Sequence, residues 1–299
     1  MADFDHNLLK IKLKEIVGQH LSTEAFSWLA TEADCLATTA DIRRFNTAFV
    51  MMPRKTGKGT VHTTPEVQID LSRIRTGFTV NRWSIDRISR VWLVMHLQAE
   101  PGKYFETIEN LFLNAEMNEL VALYSALPVL EYPELWQKRC AEGIRNNIAQ
   151  VLESIMCNNP YPGEQLDEAA WNQLILKAIF TEKPLLQIQS LGERSNKTLA
   201  ESISFFAHER WAAGRQVSPL VWICVTKFVD DNLLKDVQRL AYSTDSLERQ
   251  AAALVCLESN HPAAKSILAE NPELNSFITK DNISWVTLDA ELNELKQLS

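Results

Sequence analysis

One pattern runs the length of this chain and constrains its fold class: a helix start signal, apolar residues three and four apart, then a break. Ser22 is placed to N-cap a helix, with Leu21 and Phe26 as its hydrophobic staple. Ser84 repeats the arrangement with Trp83 and Ile88. Ser218-Pro219 sets an N-cap serine before an N1 proline, with Val217 and Trp222 as the staple. Asp245 and Glu248 have the spacing of a capping box. Pro133, Pro184, Pro262 and Pro272 all suit a first helical turn, where the missing N–H would be unpaired anyway. Behind these starts, Ile85, Ile88, Trp92 and Met95 share one helical face, as do Leu120, Leu123, Tyr124 and Leu127. Leu135, Cys140, Ile144, Ile148, Val151 and Ile155 predict one long central helix. The spacing predicts about twelve to fourteen helices joined by short loops. Only the segment from Gly59 to Val80 departs from it. Val67, Ile69 and Leu71 alternate there, but a lone strand would have no partner, so the segment reads as a loop with a short helix.

Glycine content agrees. Nine glycines in 299 residues lie well under the usual ~7%, which disfavours turn-dense β folds and Gly-rich phosphate loops. The expected fold is therefore all-α: a stacked helical-hairpin array, HEAT-like toward the C-terminus. There the run ERQAAALVCLESNHPAAKSILAENPEL carries Ala251, Ala252 and Ala253, small enough to let helices approach closely. No low-complexity linker interrupts the chain. We expect a single domain over residues 1–299, with sub-regions 1–156, 157–230 (which bears the motifs discussed below) and 231–299.

A net charge of −8 disfavours nucleic acid and anionic membranes as partners, because phosphate affinity needs clustered Lys and Arg. The local exception is Arg54-Lys55-Thr56-Gly57-Lys58, which reads as an exposed basic loop after Pro53. Cys35, Cys140, Cys157, Cys224 and Cys256 are odd in number, scattered and without a CxxC, so they read as reduced thiols. The N-terminal segment has no signal-like apolar run, and Val91 to Met95 is far too short to span a bilayer. The expectation is a soluble cytoplasmic protein with no transmembrane segment.

Standard chemical signatures fail one by one. Gly57-Lys58-Gly59-Thr60 lacks the upstream glycine and preceding strand of a phosphate loop. His208-Glu209 opens like a zinc-protease motif, but position 212 is Ala. No metal-ligand spacing and no cofactor fingerprint occurs elsewhere. Asp230, Asp231 and Asp236 are too widely spaced to hold a divalent cation against diphosphate, and read as a solvated helix terminus. No catalytic residue is identified.

Two stretches do stand out: NNPYPGEQLDEAAWNQLILKAIF from Asn158, and FFAHERWAAGR from Phe205. In the first, Asp167 is a helix N-cap, and Trp171, Leu174, Ile175, Ala178 and Ile179 share a face with Asn172 beside it. In the second, Leu199, Ile203, Phe206, Ala207, Arg210 and Trp211 form an apolar stripe that Arg210 interrupts, and Gly214 fits the C-terminal cap. An arginine in such a stripe needs a carboxylate or carbonyl, because an unpaired buried charge costs several kcal/mol. Glu168, Asp167 and Glu193 are the carboxylates expected to serve. Two readings of Trp171, Asn172, His208, Glu209, Arg210 and Trp211 remain open: a buried polar network that fixes helix packing, or a pocket for a flat, partly polar small molecule walled by Trp171 and Trp211.

These stretches also carry a family resemblance. Together with LGERSNKTLAESISFFAHERWAAGR from Leu191, the Val217-Ser218-Pro219 start, Met52-Pro53-Arg54-Lys55, VALYSALPVL from Val121 and Asn282-Ile283-Ser284-Trp285, they resemble the EboA family over nearly the whole chain. The resemblance implies a role in bacterial secondary-metabolite traffic, with a small-molecule metabolite and proteins of the same gene cluster as partners. It implies no catalytic residue. The leading expectation is a non-catalytic binding or scaffold protein. The alternatives are an enzyme with an unrecognised all-α site around Trp171, Asn172, His208, Glu209 and Arg210, and a structural partner protein whose motif residues only pack.

Overall fold

The computed structural model describes residues 4–298, without the side chain of Leu298. Residues 1–3 and 299, included in the single-domain expectation, lie outside the described residues. The described residues form α-helices and short 3-10 helices, with one isolated antiparallel bridge between Thr60 and Ser84. The chain is all-α. It divides into two compact units, one running to Leu174 and including Gln187–Gln189, the other holding Ile175–Leu186 and everything from Ser190 onward.

The first unit contains α1 (His6–His20), α2 (Thr23–Thr39), α3 (Ile42–Thr56), α4 (Pro65–Ile74), α5 (Ile85–Val94), α6 (Pro101–Asn114), α7 (Met117–Ala126), α8 (Gln137–Gly143), α9 (Ala149–Met156) and α10 (Tyr161–Gln165). Ser22 caps α2 by accepting from the Ala25 amide at 3.2 Å. The expected loop-plus-helix after Gly59 is present: Thr64 and Pro65 begin α4 as N-cap and N1. At the centre lies α5, packed against α1, α2, α3 and α7 and buried at every position but Arg87. A helix buried on all sides must neutralise its own charges. Arg90 does so completely: Nε donates to the Phe49 carbonyl at 2.9 Å, Nη1 to Asp86 at 2.5 Å, and Nη2 lies 3.8 Å from Glu119. Arg75 is buried the same way, with Nε on the Pro128 carbonyl and both terminal nitrogens on Glu164 at 2.6 Å.

The long helix expected across Leu135 to Ile155 is broken in two. After Gly143 the Asn146 side chain accepts from the Ile148 amide at 2.8 Å, an Asx turn that competes with helical bonding. Gly143 itself is close-packed; a Cβ there would stand 2.6 Å from the Tyr124 ring.

α11 (Glu168–Phe180) contains the boundary between Leu174 and Ile175. Asp167 starts it, accepting from the Ala170 amide at 2.8 Å. The second unit then contains α12 (Leu191–Arg194), α13 (Lys197–Ala212), a 3-10 segment (Pro219–Cys224), α14 (Leu233–Ala241), α15 (Ser246–Glu258), α16 (Pro262–Glu270), α17 (Pro272–Thr279) and α18 (Trp285–Leu298). Its hub is α15, buried without a break from Gln250 to Cys256 and packed on α14, α16, α17, α18 and the 3-10 segment. Alanines at 251, 252 and 253 allow that many neighbours. The Ser218-Pro219 start leads into the 3-10 segment rather than an α-helix, and Ser218 makes no capping bond. The following run Val221, Ile223, Val225 and Thr226 is β-branched at alternate and adjacent positions, which disfavours a regular α-helix.

Candidate functional site

α13 organises the polar chemistry of the second unit because its faces differ. Asn196 caps it, accepting from the Leu199 amide at 2.9 Å. Leu199, Ala200, Ile203 and Ala207 form its buried face. Phe206, Glu209 and Arg210 stand on one flank; Ser204, His208 and Trp211, spaced four and three apart, stand on the other. At its end the Arg210 carbonyl accepts from the Ala213 and Arg215 amides, and Gly214 takes a positive φ of 65°. That is the left-handed C-terminal turn for which glycine is suited.

The first flank lines a groove of about 1050 Å³. Its floor comes from Ile179, Leu185, Val217, Leu220 and Leu247, each 4–9% exposed where the interior leucines are at zero. The N-terminus of α15 and the Asp289, Leu292 and Leu295 side of α18 complete the walls. The rim is charged with both signs. Arg210, half-buried, is fixed by Nε donating to the Gln216 carbonyl at 3.0 Å, with its guanidinium 5.9 Å from the Phe206 ring. The carboxylate partner expected for Arg210 is therefore replaced by a backbone carbonyl, supplied by the turn that Gly214 makes.

Beside the groove lies a shallower hollow of about 410 Å³, which shares Phe180, Phe206 and Glu209 with it. Phe180 and Phe206 meet edge to face at 4.9 Å. Phe205 and Phe180 are 69% and 62% exposed.

The second flank meets α14. Asp236 is 3% exposed and accepts from Ser204 Oγ at 2.5 Å and bonds His208 Nε2 at 2.6 Å; the His208 side chain is 60% exposed. Trp211 lies against Trp222 at 5.9 Å, nearly parallel, and carries the Arg239 guanidinium 4.2 Å above its ring. Ser204 bonds the carboxylate and not the imidazole, so the three do not form a nucleophile–base–acid relay. The sequence spacing predicts Asp236 in a solvated helix end, and the structure buries it instead. A signal for its burial was present: position 236 falls on the stripe Leu233, Val237, Leu240 of α14.

Of the six residues singled out from the sequence, Glu209 and Arg210 line the groove and His208 and Trp211 face α14 on the other flank. Trp171 and Asn172 are buried on α11 and do not line the groove. Among the described residues no group of three or more His, Cys, Asp or Glu is placed to hold a metal, and no helix is long and apolar enough to cross a membrane. Cys224, at the end of the 3-10 segment, has its thiol pushed up to about 12 by burial, far from the range of a nucleophile at neutral pH. Gly57 caps the end of α3, so the basic Gly57–Thr60 segment leaves a helix and does not gather amides at a helix start.

The family model described as Metabolite traffic protein EboA matches residues 9–226 of the chain. No curated protein and no solved structure matches it. The match takes in α13 and the 3-10 segment; α14 to α18, and with them two walls of the groove, follow it in sequence.

Proposed function

Because this chain belongs to the EboA family of metabolite traffic proteins, we propose that it is a non-catalytic binding protein whose small-molecule seat is the groove of the second unit. The groove itself carries the reading. Its volume of about 1050 Å³ is at the upper end for small-molecule sites, which run to ~1,000 Å³, and an apolar floor under a few placed polar groups is their usual make-up. Glu209 and Arg210 are the residues proposed to face the ligand. His208, Trp211, Trp171 and Asn172 are proposed to hold their helices in place. The proposed cargo is a secondary-metabolite intermediate in a bacterial cytoplasm, in keeping with the family resemblance.

Native mass spectrometry of the chain purified from its own host tests this. The expected spectrum shows a bound small molecule that Leu292→Trp, which fills the groove from the α18 side, removes. A bare chain in both preparations would overturn the proposal.

One observation favours a second role beside it. The exposure of Phe180 and Phe205 next to the groove suits docking of an enzyme of the same pathway, since large exposed phenyl rings mark contact surfaces. Phe180→Ser with Phe205→Ser is expected to lose such a partner while keeping the small molecule; loss of neither would set this role aside.

A further inference from the structure

We propose, resting on the groove reading, that the ligand is an amphipathic anion: a carboxylate or phosphate head on an apolar body, with the head on the Arg210 fork. Six carboxylates line the groove, Glu182, Glu209, Asp245, Glu248, Asp289 and Glu291. None of them forms an ion pair with Arg210, whose only side-chain hydrogen bond among the described residues is the one from Nε to the Gln216 carbonyl. A guanidinium that could have been paired by a neighbour is thus oriented by a backbone oxygen on one edge and leaves both terminal nitrogens without a hydrogen-bond partner among the described residues. That geometry matches two oxygens of a carboxylate or phosphate, which the fork binds through parallel charge-assisted hydrogen bonds.

Four of the six carboxylates are either committed to another group or exposed, and Glu248 and Asp289 are half-buried. Asp245 is committed to the Leu247 amide at 2.8 Å and Glu291 to the Gln250 side chain at 3.0 Å. Glu182 and Glu209 are exposed, where water screens their repulsion of an anion. Arg215 directly follows Gly214 and also lines the groove, adding a second guanidinium. The apolar body then lies on Val217, Leu220 and Leu247. The floor gains from burial of any hydrocarbon, charged head or not. The head alone gives the anion its preference.

Calorimetric titration of the full chain with octanoate, octyl phosphate, octanol and octylamine separates these contributions. Both anions are expected to bind about tenfold more tightly than octanol, the size of one charge-assisted pair in a half-exposed site. Arg210→Met is expected to bring the anions level with octanol and leave octanol unchanged. Arg210→Lys, which keeps the charge but not the fork, is expected to retain part of the preference; circular dichroism checks that both variants stay folded. A larger gain for octanoate or for octyl phosphate identifies the head group. Octanol binding that Leu292→Trp abolishes, with no anion preference or with octylamine ahead, would overturn this proposal and leave the groove reading standing. No binding of any of the four would count against both.

Discussion

Arg90 in the first unit and Arg210 in the second are the same side chain answering to different demands. Both interrupt apolar stripes, and both give Nε to a backbone carbonyl. Arg90 then spends its remaining nitrogens on Asp86 and Glu119 inside a helix cluster. The terminal nitrogens of Arg210 bond nothing among the described residues, although its groove carries six carboxylates. The first arrangement is a closed account of charge: removing any member leaves the others buried and uncompensated. The second is open on one side. An arginine on an apolar face says only that a partner is needed; whether the partner is internal decides between structure and recognition.

The largest effect is expected from Arg90→Met, which strands Asp86 and Glu119 and should cost about 3–5 kcal/mol in denaturant unfolding. A loss under about 1 kcal/mol would mean that the buried network is not structural.

Arg87 supplies an intermediate case. It stacks 3.9 Å above Trp83 and donates to Ser125 Oγ at 2.8 Å, with no carboxylate of the described residues in ion-pair range. Burial pushes its guanidinium down to about 9. Replacing a charge so placed by Met should leave stability level or raise it by about 1–2 kcal/mol at neutral pH. Between pH 9 and the ordinary arginine range the unfolded chain holds the proton that the folded chain has released. The wild type therefore gains from this site as pH rises through that window, and the advantage of Arg87→Met should shrink there. An advantage that grows with pH would contradict the assignment.

Smaller still, Asp236→Asn should cost about 1–2 kcal/mol, because Ser204 and His208 lose a charged acceptor shared between α13 and α14. Least of all, Arg210→Met should cost under about 1 kcal/mol of stability, since it removes one half-exposed hydrogen bond. A cost near that of Arg90→Met would erase the distinction between the two arginines.

Much of the architecture was legible in the chain. Ser22, Asp167 and Gly214 act locally, through bonds three residues away or through a backbone angle, and local signals survive in sequence. The break after Gly143 was less legible, because the apolar spacing continued through it while an asparagine side chain captured the backbone. The site was legible only in part. Apolar spacing placed Arg210 on a stripe, but the carbonyl that holds it depends on how the chain turns after Gly214. Asp236 was hidden by its neighbours Asp230 and Asp231, which made the whole segment read as solvated, although 236 alone lies on the buried stripe. The walls from α15 and α18 come from residues far along the chain, and no periodicity records which helix ends meet.

The central claim is that binding belongs to the groove of the second unit and not to the arginine network of the first. Amide hydrogen exchange, comparing the protein isolated from its own host with the same chain made in a foreign host, tests it most directly. Slower exchange is expected in the native-host protein at residues 178–185, 214–221 and along α18, with α5 and α7 alike in both. Equal exchange throughout, or protection confined to α5 and α7, would contradict it.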